Sequence, residues 1–156
     1  RHFLGGLRII NNKKHVTINE AIPIVRLCNT KQDKRVFGVV SDEETNDMIR
    51  EHKIGFIRFS AKKKKRNKKY MINSVGEGGI WVCNINGGFE NGDLITSSGI
   101  SGFGMRQDSD VCRNYTVAKI TCDCDFDVNS TSYKCEEFEY RKIKYKKAFV
   151  GCVYKC

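Results

Sequence analysis

Long apolar runs are missing from this chain of 156 residues. Nothing in it approaches the ~20 apolar residues that a membrane-spanning helix needs, so no membrane partner is expected. Proline is nearly missing as well. Pro23 stands alone, which suits the edge or the start of a strand, and no proline-rich linker divides the chain. Histidine is scarce: His2, His15 and His52 are scattered among polar residues, none in a metal spacing such as H-E-x-x-H, and they read as surface residues. No G-K-[ST] follows the glycines, and Ser97 and Ser98 are not set in G-x-S-x-G. Neither a phosphate-cradling loop nor a hydrolase elbow is therefore supported. The opening RHFLGGLRII has no signal-peptide architecture and no initiator methionine, and is expected to begin a C-terminal piece of a longer chain.

What is present suits a single domain over residues 1–156, with 40% apolar residues and length enough to bury a core. The net charge of +10 comes from 28 basic and 18 acidic residues. Much of the excess sits in KKKKRNKK: Lys62, Lys63, Lys64, Lys65, Arg66, Lys68 and Lys69. IGFIRFS precedes this run and YMINSV follows it, so residues 61–70 are expected to form the solvated tip of a hairpin. The alternatives are a patch contacting the phosphates of nucleic acid or another polyanion, and a nuclear-localisation signal. No aromatic residue interleaves the run, so base stacking is not indicated there.

Eight cysteines are present. Cys28 and Cys83 lie in apolar, strand-like runs and read as small core residues. Cys122, Cys124, Cys135, Cys152 and Cys156 cluster late in the chain and would offer thiolates to zinc, but C-x-C is not the usual C-x-x-C knuckle. The reading adopted is free thiols, with a disulfide inside an assembled particle or a zinc site as alternatives; no cofactor is expected. Asp123, Asp125 and Asp127 alternate with Cys122, Cys124 and Phe126. On a strand they would share a face and gather a hard cation, or simply face solvent.

The dominant hydrophobic period is two. LRII and HVTI flank NNKK; AIPIVRL, RVFGVV, GIWVCNI and NYTVAKITC follow; EEFEYRKIKYKKAFVGCVY alternates through Phe138, Tyr140, Ile143 and Tyr145 to Phe149, Val150 and Val153. NGG, NGD, SGISG and NST separate these runs as turn chemistry. The expectation is an all-β fold, a barrel or sandwich of many short strands with little helix. SDEETNDMIREHK is the one stretch suited to a short helix, with Ser41 or Asp42 as its N-cap. Trp81, Phe149 and Tyr154 are the expected core or interface anchors.

Three segments carry a resemblance. GDLITSSGISGFGM with the following TVAKIT, the strand RVFGVVSDEE, and the closing AFVGCVYKC resemble the C-terminal β-rich module of giant-virus and phage fibre or appendage proteins. That module is similar to the autoproteolytic intramolecular-chaperone domain of phage neck appendages. The resemblance implies a virion structural protein, assembled in the host cytoplasm, whose module trimerises and holds other capsid or fibre proteins. It also implies self-cleavage as an alternative activity. The family's Tyr-Ala-Glu-type motif has no counterpart here, and Asn19 and Glu20 in TINEAIP are the only local candidates. A basic nucleic-acid-binding module, working through Lys62 to Lys69, is the remaining alternative.

Overall fold

The computed structural model describes residues 3–8, 24–43, 49–54, 57–62 and 70–155. In these residues the period-two segments are extended, because alternate side chains of a strand point to opposite faces and allow one apolar face. Five strands precede the lysine run or reach its first residue: β1 (Phe3–Arg8), β2 (Ile24–Leu27), β3 (Gly38–Glu43), β4 (Ile49–Ile54) and β5 (Ile57–Lys62). Strand β6 (Tyr70–Asn73) follows it and completes an antiparallel sheet in the order β2-β1-β3-β6.

Two expectations are corrected here. The stretch suited to a short helix is extended at both described ends, within β3 and β4, and Ser41 Oγ donates to the Met71 carbonyl across β3 and β6 at 3.2 Å instead of capping a helix. Its apolar content is too low to give a helix a buried stripe, whereas a strand needs only alternate positions. The segments flanking the lysine run do not pair with each other as a hairpin: β5 pairs with β4, and β6 with β3. Residues 63–69, like Asn19, Glu20, Cys156 and the expected HVTI strand, lie outside the described residues.

From Val75 onward the chain forms a six-stranded sheet: β7 (Val75–Cys83), β8 (Leu94–Ser97), β9 (Gly104–Arg106), β10 (Thr116–Ile120), β11 (Lys134–Tyr140) and β12 (Ile143–Lys155). Its order is β10-β8-β9-β7-β12-β11, and β10 also pairs with β12. That extra pairing closes a five-strand ring, β7-β9-β8-β10-β12, with β11 added beside the first half of β12. The long C-terminal alternation is therefore two strands, turned at Arg141 and Lys142, which both adopt positive φ (50° and 66°). Two such residues give the turn a twist that matches the flanking strands.

The interior of the ring is sealed. Ile80, Val82, Ile95, Val117, Ala118 and Ala148 are fully buried, with Ile120, Val150, Cys152 and Tyr154 beside them. Burying each large aliphatic side chain contributes ~1.5–3 kcal/mol. Cys28, Val36 and Val39 from the preceding segment join the same core. This segment is fastened to the barrel through Ser97: its Oγ donates to the Thr30 carbonyl at 2.8 Å and accepts from the Asp33 amide at 2.9 Å. The glycine-rich stretch from Gly87 to Asp108 supplies turns between strands. At Asn91–Gly92 the φ of +98° at Gly92 and the 3.0 Å bond from the Asp93 amide to the Glu90 carbonyl make the turn.

Candidate functional site

Strand β12 runs between β7 and β11, and its register sorts the side chains of all three strands into two faces. Phe149 stands opposite Trp81 on β7 and Lys134 on β11; Lys147 stands opposite Cys83 and Glu136; Tyr145 stands opposite Phe138. The β12 positions among these alternate with the buried Ala148 and Val150, so this set projects from the outer face. Trp81 was expected as a core or interface anchor. The register turns it outward and leaves it half-buried, with Phe149 38% exposed beside it, while Tyr154 is the anchor that enters the core.

The outer face is a continuous set of rings. Trp81 lies 5.5 Å from Phe149 and 6.5 Å from Phe103, between centroids. Phe103 stacks on Phe138 at 5.2 Å, and Phe138 meets Tyr145 at 6.0 Å. Lys147 is threaded among them, its Nζ 5.3 Å from the Trp81 ring and 5.9 Å from both Phe103 and Phe138. An ammonium over π faces is attracted by the ring quadrupoles. Lys134 Nζ lies 6.0 Å from the Trp81 ring and 3.1 Å from Glu136 Oε1, while Lys147 Nζ lies 3.7 Å from Glu136 Oε2. The Lys134 ammonium, helped by Lys147, holds the Glu136 carboxyl below its ordinary range, so it stays ionised. Two ammonium groups thus share one carboxylate above an aromatic floor.

Two neighbouring glycines allow this arrangement. A Cβ on Gly79 would lie 2.2 Å from Phe149 Cζ, and one on Gly78 would lie 2.4 Å from Tyr154 Oη. One glycine therefore receives a ring on each face of β7. The Tyr154 hydroxyl also donates to the Gly79 carbonyl at 2.6 Å.

The other candidates from the sequence occupy different places. Cys124 and Cys152 are buried, and Cys122 and Cys135 pack half-buried against the same core. Desolvation pushes the Cys124 thiol up to about 11. None of the seven described cysteines is in a disulfide, and among the described residues no three His, Cys, Asp or Glu side chains form a group able to hold a metal ion. The alternating aspartates stay on the exposed side of their segment while Cys124 and Phe126 turn inward, and each aspartate accepts a hydrogen bond. Asp123 accepts from the Asn91 amide at 2.7 Å, Asp125 from the Tyr133 hydroxyl, and Asp127 from the Asn129 amide at 3.0 Å. Burial, then the Asp125 carboxylate, pushes the Tyr133 hydroxyl up to about 12. Ser97 and Ser98 are fully buried and bond the backbone. Of the lysine run, only Lys62 is described, at the end of β5.

Lys134, Glu136, Phe138, Lys147 and Phe103 were not expected as site residues, although Phe138 was placed in the C-terminal alternation. The signal for the first four was present: once a turn is placed at Arg141–Lys142, simple alternation puts them on the face of Trp81. Phe103 comes from the loop before β9, and no local pattern carries it there. The fold and site define a small closed β-barrel with an added hairpin and an outer face on which Phe103, Phe138 and Tyr145 pack against a second buried cluster, Cys83, Ile100 and Met105, while Phe149 remains 38% exposed. No family model, curated protein or solved structure matches the chain.

Proposed function

We propose that this protein is a contact module of a virion, a β-barrel of a fibre or capsid-associated protein that works by holding partners and forms a homotrimer. The observation that carries this reading is the outer face of β7, β12 and β11. The strands that seal the core present on their reverse side a connected set of partly buried rings, with Phe149 exposed at its edge and two ammonium groups beside them. Exposed aromatic surface with charge at its margin is the composition of binding surfaces. The motif resemblance adds the virion setting and the threefold assembly. The described titratable groups with shifted values are engaged in turns, ion pairs or the core, as at Asp33, Asp125 and Glu136.

Native mass spectrometry of the purified chain tests the assembly. The expected species has about three times the 17.8 kDa of one chain, and a monomer at micromolar concentration would overturn the trimer.

One observation favours a second reading. Of the 28 Lys and Arg, 18 precede Tyr70, against 7 of the 18 Asp and Glu. The positive charge thus belongs to the N-terminal segment, as a polyanion-binding arm would require. Affinity for double-stranded DNA that falls steeply with salt, and vanishes when Lys62 to Lys69 are neutralised, would establish it.

A further inference from the structure

We propose that the outer face of β7, β12 and β11 is a docking site for an acidic glycan, in which a sugar ring bearing one carboxylate lies against Phe149 and Trp81 and is held by Lys134. This rests on the reading above that the face is a contact surface, and it names the partner.

The geometry supplies each element of such recognition. A pyranose ring has a flat apolar side made of C–H groups, and half-exposed aromatic rings complement it. Phe149 and Trp81 provide that surface, 5.5 Å apart and tilted by 52°, as two walls of a shallow angle and not one flat plate. Beyond Phe149 the next register pair is Gly79 with Gly151; the Phe149 ring lies over Gly79, and the shelf that remains is at Gly151. Gly151 is exposed, and the Thr121 hydroxyl borders the shelf, 2.9 Å from where a Cβ on Gly151 would lie. The shelf is therefore lined by a hydroxyl and by backbone, which suit sugar hydroxyls.

Charge selects among ligands. Lys134 and Lys147 share the single carboxylate of Glu136, which leaves one positive charge at the aromatic floor. Lys147 is confined by three rings, whereas the Lys134 side chain is 67% exposed and able to turn towards a ligand. One uncompensated ammonium matches one carboxylate. It does not match a polyphosphate strand, whose binding requires many neutralised phosphates. From Tyr70 to Cys156 the chain carries 10 basic and 11 acidic residues, so the barrel has no general attraction for nucleic acid. A neutral sugar would leave the Lys134 charge unused.

The test is calorimetric titration of the full chain with 3′-sialyllactose, lactose and an oligodeoxythymidine, repeated on Lys134→Ala and Trp81→Ala with the native mass of each recorded. Saturable binding of sialyllactose is expected, weakened about tenfold or more when the carboxylate is absent (lactose) or when Lys134 is removed, since a charge-assisted contact is lost in both cases. Trp81→Ala is expected to abolish binding while the native mass stays unchanged. Equal binding of lactose and sialyllactose, or no saturable sugar binding, would overturn the proposal, as would tighter binding of the oligonucleotide at the same face. If Trp81→Ala breaks the assembly into monomers and no sugar binds, the face is an interface between copies. The glycan proposal then falls and the assembly reading stands. If the wild type is a monomer yet binds sialyllactose through Lys134, the assembly reading falls and the glycan site stands.

Discussion

The two faces of the β7–β12 ribbon come from the same few residues read alternately, yet they differ in kind. Inward, Ile80, Val82, Ala148 and Val150 are 0–2% exposed, and the face is aliphatic and closed by the rest of the barrel. Outward, Trp81, Lys147 and Phe149 form a face of rings and charge that stays half-exposed. An aliphatic interior is what a small barrel needs for stability. Lysines among stacked rings are not needed for that purpose, and their presence points to a second task for the same strands.

Substitutions on each face would sharpen or break this comparison. The largest effect belongs to the inner face. Ile80→Ala should destabilise the barrel by about 2–5 kcal/mol in urea unfolding, and Phe149→Ala by less than half of that, because Phe149 is already 38% exposed. Equal losses would mean that Phe149 is packed as tightly as the interior, like the neighbouring buried cluster of Cys83, Ile100 and Met105. The paired glycines give a finer contrast. Gly78→Ala forces Tyr154 out of a packed interior and should cost about 1–3 kcal/mol. Gly79→Ala meets only the end of the Phe149 ring, which has solvent to swing into, so thermal melts should separate the two variants clearly.

At the hairpin turn, replacing Arg141–Lys142 by Asn-Gly should raise stability by about 1–2 kcal/mol, since both native residues hold a left-handed backbone that favours Asn and Gly. A neutral or destabilising result would show that the basic side chains contribute to folding. The smallest effect lies in the segment that precedes the barrel. A hydrogen bond from Arg35 holds the Asp33 carboxyl at about 2, against an ordinary 3.8. The folded value lies below the unfolded one, so this contribution is complete above pH 3.8 and is lost as pH falls towards 2. Solvent at the half-exposed Arg35 limits it to about 1 kcal/mol. Asp33→Asn should remove that part of the acid dependence in pH-resolved melts.

Alternation made the strands legible, and Asn-Gly and Ser-Gly made several turns legible, because both signals are local. Arg141–Lys142 was not legible as a turn. Neither residue favours positive φ, and the conformation is imposed by the pairing of β11 with β12. That single missed turn hid the register of the candidate site. The choice between core and interface for Trp81 stayed open for a related reason: on a strand flanked by Ile80 and Val82, composition does not say which parity faces inward, and the tertiary pairing decides it. SDEETNDMIREHK carries a good helix start and too few apolar residues for a helical face, and its ends follow the sheets.

Trp81 is the only tryptophan in the chain, so its fluorescence reports on the outer face alone. Acrylamide quenching of that emission in the folded, unliganded protein is the most direct measurement of whether the face is open. The expected result is a ring reached by the quencher, and then shielded as 3′-sialyllactose is added. An emission as resistant to acrylamide as a fully buried indole, with no ligand present and at concentrations where the chain is monomeric, would contradict an accessible Trp81–Phe149 edge.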